Sequence, residues 1–241
     1  MVSVCISTYN GEKYIRRQVE SILIQLSEDD EVVISDDNST DSTVEILHSF
    51  NDTRIKIIKN QTDFLQKYTY EKITENFENA ITNTKGNLIF LSDQDDVWHE
   101  NKVALAKAKI GDNLALIHDC RVVDENGSEI YPSYFQHIKA KRGVIANIIK
   151  CSYLGCCMVL NRDILQKAMP FPKKVPHDLW LALIAEKLNS LIIINNKLID
   201  YHRHSESSST SAFKSDKSIW FKLFYRYHII FELIKRFLKS N

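Results

Sequence analysis

Glycine and proline are scarce in this chain, six and four residues among 241. That scarcity excludes a collagen-like or low-complexity architecture and leaves little material for long linkers. No G-x-G-x-x-G follows the first apolar run and no G-x-x-x-x-G-K-[ST] occurs anywhere, which argues against a dinucleotide-binding fold and against a P-loop enzyme. The five cysteines (Cys5, Cys120, Cys151, Cys156, Cys157) form no C-x-x-C pair and no evenly spaced framework. They read as reduced thiols of a cytoplasmic protein, with Cys5 and Cys157 in apolar runs where a thiol behaves as a small hydrophobe. No apolar run approaches the roughly 18 residues that a membrane-spanning helix needs. MVSVCISTYN has neither the basic start nor the apolar core of a secretory signal, so none is expected. An excess of either charge is missing too, since 31 Lys and Arg balance 31 Asp and Glu.

What is present is a regular alternation. VSVCIS, EVVIS, RIKII and GNLIFLS are short apolar runs, and the segments between them carry apolar residues at helical spacing. In EKYIRRQVESILIQL, for example, Tyr14, Val19, Ile22, Leu23 and Leu26 share one face. A further helix, STVEILHSF, is expected to open on Ser39 or Thr40 as its cap. Such alternation predicts βαβ units, a parallel sheet and right-handed crossovers. The second half predicts a strand with an ENGS turn, a strand in GCCMVLN and a helix in HDLWLALIAEKLN. It ends in two strands, LIIIN and KLIDYHRH, and a mobile Ser-rich loop, SESSSTS.

In open α/β sheets, ligands gather at the carboxyl ends of the strands. The most polar stretches of this chain fall there: STYN after the first strand, SDDNS after the second and SDQDD after the fourth. Asp93, Asp95 and Asp96 lie within four positions at the end of a buried strand, where like charges raise one another's pKa unless a cation compensates. Oxygen-only donors select a hard ion, Mg²⁺ or Mn²⁺, of the kind that also binds substrate phosphates. Asp36 and Asp37 either cap the next helix or, with Thr8 and Asn10 on the neighbouring strand end, accept a hydrogen bond from a nucleobase imide. Asp178, after His177, either caps a helix or does chemistry. His202 and His204 flank Arg203 at the end of the last strand, and strand alternation sends both to one face.

Read together, ISTYNGEKYI, ISDDNSTDST, ENFENAI, KGNLIFLSDQDDVW, GCCMVLNRDIL, PFPKKVPHDLWLALIA and IDYHRHSESS resemble the family 2 glycosyltransferases of the GT-A fold, over roughly residues 2 to 208. The SDQDDVW and PFP…HDLW versions are similar to a bacterial subgroup often described as rhamnosyltransferases of surface polysaccharides. The resemblance implies a cytoplasmic, inverting enzyme at the inner face of the membrane that uses Mn²⁺ or Mg²⁺. Its partners would be a dTDP- or UDP-linked sugar, dTDP-rhamnose as first choice, and a lipid-linked glycan acceptor; nucleic acid is not among them. Thr8, Tyr9, Asn10 and Glu12 would line the nucleotide pocket, and Asp36 or Asp37 would accept from the base. Asp93 and Asp95 match the DxD motif, contacting nucleotide and metal, with His204 completing the metal site. Asp178 falls at the catalytic base, and Asp96, Trp98, Gly155 and His177 would support the site. Two departures stand out: Asn38 where the family commonly has Gly, and no Gly in NQTDFLQKYTYEK.

A catalytic domain is thus expected over residues 1–212, followed by a basic tail over 213–241. From Lys214 onward seven Lys and Arg face two acids. KSIWFKLFYRYHIIFELIKRFLKS predicts an amphipathic helix, with Lys222, Arg226, Glu232, Arg236 and Lys239 near one polar stripe. It would lie in a membrane interface, or pack on the body or on another subunit. Competing classes are a sugar-phosphate nucleotidyltransferase, which would carry a Gly-rich basic loop where TYNGEKY stands, and a phosphoacceptor signalling domain, which the segments after residue 150 fit poorly. A glycosyltransferase-like subunit that binds a partner without turnover is the third.

Overall fold

The computed structural model describes residues 1–61, 69–203 and 219–238. The first half forms four strands, β1 (Val2–Thr8), β2 (Glu31–Asp36), β3 (Ile55–Lys59) and β4 (Leu88–Ser92), alternating with α1 (Ile15–Leu23), α2 (Thr43–His48) and α3 (Thr69–Thr82). Then come β5 (Val97–Trp98), α4 (Lys102–Ile110), β6 (Ala115–Asp124), β7 (Glu129–Tyr131), α5 (Tyr134–Ile138) and α6 (Val144–Ile149). A single 3₁₀ turn at Gly155–Cys157 leads into β8 (Met158–Asn161), and α7 (Ile164–Ala168), α8 (His177–Lys187), β9 (Leu191–Arg203) and α9 (Ile219–Leu238) follow.

One sheet runs through the body in the order β3-β2-β1-β4-β8-β6-β9-β5, with β7 paired to β6. β3, β2, β1 and β4 are mutually parallel, and β8 is antiparallel to both β4 and β6. β9 lies parallel to β6 again. This topology sets the site: Thr8, Asp36 and Ser92 end parallel strands on one edge of the sheet. Because β8 runs the other way, its leading turn at Gly155 and Cys156 reaches that same edge. β1, β2 and β4 are buried on both faces, with Val4, Cys5, Val32, Val33, Ile89 and Phe90 all fully buried, while edge strand β3 is only partly covered.

Three expectations change. α2 begins at Thr43, not at Ser39 or Thr40, because the Ser39 N–H and hydroxyl both donate to the Asp36 carboxylate and close a turn. The first N–H groups of α2 are served instead by acids, Ser42 donating to Glu12 (3.0 Å) and Thr43 to Asp41 (3.0 Å). LIIIN and KLIDYHR form one strand: Ile194 pairs with His118 and Lys197 with Asp119, so Asn195–Asn196 bulge out without ending the ladder. The third concerns the tail. The described part of it, α9, packs on the body by burying Ile229 and Leu233, and its polar stripe turns inward. Arg226 donates to the Ile149 carbonyl (2.7 Å), and Arg236 donates to those of Lys167, Met169 and Pro170. Those carbonyls lie at the C-terminal ends of α6 and α7, where cations are favoured. The SESSSTS loop, His204 and Lys239 lie outside the described residues.

Candidate active site

The site is built where β1, β2 and β4 end and where the Gly155 turn and the start of α8 come in from the other half. Gln94, the residue between the DxD carboxylates, bolts the DQDD loop to the end of β1. Its amide oxygen accepts from the Thr8 hydroxyl (2.6 Å) and the Tyr9 N–H (2.9 Å), while its amide nitrogen donates to the Tyr9 carbonyl (3.1 Å). Gly11 makes room for this clamp, since a Cβ there would sit 2.5 Å from the Gln94 oxygen. From the other side, buried Gln18 of α1 donates to the Ser92 hydroxyl and to the Asp93 carbonyl (3.1 Å). Asn76 and Asn79, one turn apart on α3, donate to the hydroxyls of Ser7 and Ser35, both at 2.8 Å. The strand ends are therefore fixed before any ligand arrives.

The expected nucleotide residues all reach this edge, with different duties. Asn10 holds a left-handed φ of 47° and accepts from the Thr40 N–H (2.9 Å), while Glu12 is engaged with Ser42. These two staple the β1 loop to the β2 loop. Tyr9 is exposed. The Asp36 carboxylate is turned into the Ser39 contacts, whereas Asp37, half-buried, accepts from the Asn60 amide (3.0 Å). Asn38 occupies the left-handed region at φ 61°, the conformation that Gly would otherwise supply.

At the end of β4 the carboxylates behave as crowded acids. Burial, with the charges of Asp95 and Asp178 added, pushes the Asp93 carboxyl up to about 7. Burial, followed by the charges of Asp95 and Asp93, also drives Asp96 well above the usual range. Asp96 is fully buried: one of its oxygens accepts from the His202 N–H (3.2 Å) and the other has no partner. Oxygens of Asp93 and Asp96 and the Cys156 sulfur lie within 4.8 Å of one another. Asp95, expected beside Asp93 at the metal, lies next to this cluster and not in it, and His204 lies outside the described residues. The reason is the tight turn after Ser92, which directs Asp96 inward toward β9. Asp95 stays half-buried, near enough to His202 for its charge to bear on that ring.

This set passes a chemical test for a divalent cation: two carboxylates, an orphaned buried oxygen and mutual repulsion that a positive charge would relieve. Burial raises the Cys156 thiol well above its ordinary pKa, so it stays protonated beside the two carboxylates. Lys102 is the resident cation. It is fully buried, donates to the Cys156 carbonyl (2.9 Å) and sits 3.9 Å above the Trp98 ring. Burial lowers its pKa to about 8. Trp98 itself packs in the core against Phe90 and serves the site through Lys102.

Beside the Gly155 turn, Asp178 lies in the first turn of α8 and accepts from the Leu179 N–H (2.7 Å). Its charge reaches both Asp93 and Tyr225 of α9. His177 is buried, stacks on Phe77 at 4.2 Å between ring centres and is held neutral by burial. Gly155 accommodates it, because a Cβ there would stand 2.9 Å from the His177 Nε2. Gln94, Gln18, Cys156 and Lys102 were not singled out from the sequence. Gln94 had a local signal, its place between two site carboxylates; the others depend on tertiary contacts.

The mostly parallel sheet with its antiparallel β8 insertion and flanking helices is the GT-A fold, as the solved structures it superposes on show. The structure of TarS residues 1–349 from S. aureus with UDP-GlcNAc superposes with a TM-score of 0.70 at 21% identity, covering 95% of this chain and 66% of that one. The family model for glycosyl transferase family 2 matches residues 3–168. The chain belongs to that family and is a glycosyltransferase. Its relatives include the Escherichia coli UDP-Glc:alpha-D-GlcNAc-diphosphoundecaprenol beta-1,3-glucosyltransferase WfgD, 27% identical over 91% of this chain and 84% of that protein. The dTDP-rhamnosyl transferase RfbG of Shigella flexneri is 26% identical over 90% of this chain and 77% of that protein.

Proposed function

We propose that this enzyme moves a sugar from a nucleoside-diphosphate donor to a hydroxyl of a lipid-linked glycan at the inner face of the cell membrane, inverting the anomeric centre. The observation that carries this reading is the facing of two acidic sites: the Asp93–Asp96 group at the end of β4, and Asp178 at the start of α8. Asp37 and the Thr8–Tyr9 edge receive the base and ribose, and Asp93 with Asp95 or Asp96 holds a divalent cation, Mn²⁺ or Mg²⁺. That cation supplies Lewis-acid stabilisation for the charge that builds on the departing diphosphate. Asp178 takes the proton from the attacking hydroxyl as the new bond forms on the opposite face of the sugar. The relatives named above carry UDP-glucose and dTDP-rhamnose in their names, and we keep dTDP-rhamnose as first choice with a UDP-hexose as the alternative.

Calorimetric titration with dTDP, UDP and GDP, each with Mn²⁺ and with EDTA, tests the donor half. Metal-dependent binding of dTDP, lost in Asp95→Ala or Asp96→Ala, supports the reading and the rhamnose donor. Preference for UDP moves the sugar, and no binding to any of the three overturns the reading.

A further inference from the structure

With Arg226 and Arg236 bound to body carbonyls, α9 is left with one face that no other described residue covers. Trp220, Leu223, Phe224, Tyr227, Phe231 and Leu238 recur at helical spacing on the side away from Ile229 and Leu233, and they are between 49% and 81% exposed. This stripe does not stop at α9. α6 packs beside it, tied by the Arg226–Ile149 bond, and α6 turns out Ile145 (77% exposed) and Ile149 (59% exposed). The chain entering and leaving α6 is basic: Lys139, Lys141, Arg142 and Lys150 are all exposed, and no acid occurs between residues 139 and 150.

An apolar stripe bordered by cations suits one class of surface. Apolar side chains enter the acyl boundary, tryptophan and tyrosine favour the headgroup level, and Lys and Arg meet anionic headgroups. A second copy of the chain fits less well, because across a two-fold axis the basic segment would face its own equivalent or be left outside the contact. The opposite face of α9 leads to the active site: Tyr225 stands edge-on to Tyr70 at 6.3 Å, and Asp178 is close by.

We propose that α9 and α6 together form a docking surface for an anionic lipid bilayer, which sets the cleft beside Asp178 at the headgroup level. The second clause rests on the transferase reading; the surface itself does not. In this arrangement a lipid-linked hydroxyl reaches Asp178 without leaving the membrane.

The test is flotation of the purified full chain with phosphatidylcholine vesicles, with and without phosphatidylglycerol. Trp220 is the exposed reporter, since Trp98 and Trp180 are buried. We expect binding to the anionic vesicles, quenching of fluorescence by brominated lipid and loss of that quenching in Trp220→Phe. Phe224→Glu/Phe231→Glu should abolish flotation while keeping metal-dependent nucleotide binding, which shows that the variant is folded. Lys141→Glu/Arg142→Glu should weaken partition at least about tenfold, each cation near an anionic leaflet contributing roughly fivefold. Absence of wild-type flotation overturns the proposal, as does flotation unchanged by the Phe224/Phe231 variant. So does a dimer, dissolved by that variant, in a chain that ignores vesicles. Vesicle binding by a chain that binds no nucleotide supports the surface while removing the transferase reading.

Discussion

Asp93, Asp96 and Asp178 do different work because their surroundings differ, and two predictions follow at this scale. Asp178 is placed to remove a proton and contributes nothing to donor binding in the proposed scheme. Asp178→Asn should therefore lower kcat about 10²-fold or more, the range typical of a lost general base, with Kd for the donor nucleotide within a few-fold of wild type. Steady-state rates paired with nucleotide titration check this; turnover close to wild type would assign Asp178 to capping α8. The second prediction concerns pH. Asp93 is raised to about 7 and Asp96 is also pushed well above the usual carboxylate range, so above the unfolded value near 3.8 the native state binds more protons than the unfolded one until these groups ionise. The metal-free protein should then lose stability as pH rises from about 4 through 7. Added Mn²⁺, which binds the deprotonated acids, should oppose that loss. Denaturant melts at several pH values, with EDTA or Mn²⁺, read the sign directly, and Asp93→Asn should flatten the metal-free slope.

At the scale of elements, the site is held by loops that are tied before ligand binds. The Gln94 clamp joins the β4 loop to the β1 end, and Gly11 permits it by leaving the space that a Cβ would fill. Gly11→Ala should push the Gln94 amide out of its contacts with Thr8 and Tyr9. At about 1 kcal/mol for each of the three net hydrogen bonds, the cost is about 3 kcal/mol in stability, with weaker nucleotide binding besides. Gln94→Ala alone should reproduce the binding defect, and the double variant should add little to either single one, since both act on one contact. A cycle of four melts and four titrations tests this, and full additivity would sink it. α9 offers a parallel case. Arg236 donates to three carbonyls and lies over the Trp180 ring at 5.3 Å. Arg236→Ala should loosen α9 from α7 and raise hydrogen exchange across Ile229–Phe237, while exchange in β1 and β4 stays as it was. Those inward cations decide between placements that the sequence pattern leaves open. A helical wheel places Arg226 and Arg236 on a polar stripe, and only the free carbonyls of α6 and α7 reveal that the stripe faces protein.

At the scale of the whole molecule, the alternation of Val2–Thr8, Glu31–Asp36 and Leu88–Ser92 with amphipathic helices was readable because parallel strands need continuous apolar runs and their crossovers need one apolar face. The acidic strand ends could be placed by the same logic, since a parallel sheet gathers its polar loops on one edge. The partner of those acids from the far half could not. β8 is antiparallel to β4, so the Cys156 turn arrives at that edge from more than sixty residues downstream, and nothing in GCCMVLN announces its company with Asp93 and Asp96. Spacing identifies the motif in Asp93 and Asp95, but the inward turn of Asp96 toward the His202 N–H belongs to the fold. The two halves are therefore joined at the acidic cluster, and an ion bound there should stabilise the molecule as a whole. Mn²⁺ at a hundred times its Kd would add about 2.7 kcal/mol, which for a chain of this size is about 5–10 °C in Tm. Asp96→Ala should remove most of that rise, and Asp178→Asn should leave it intact because Asp178 faces the cluster from across the cleft. Thermal melts of the three proteins over a Mn²⁺ series decide the matter. An equal rise in Asp96→Ala would shift the ion's ligands toward Asp95 and the segment beyond Arg203.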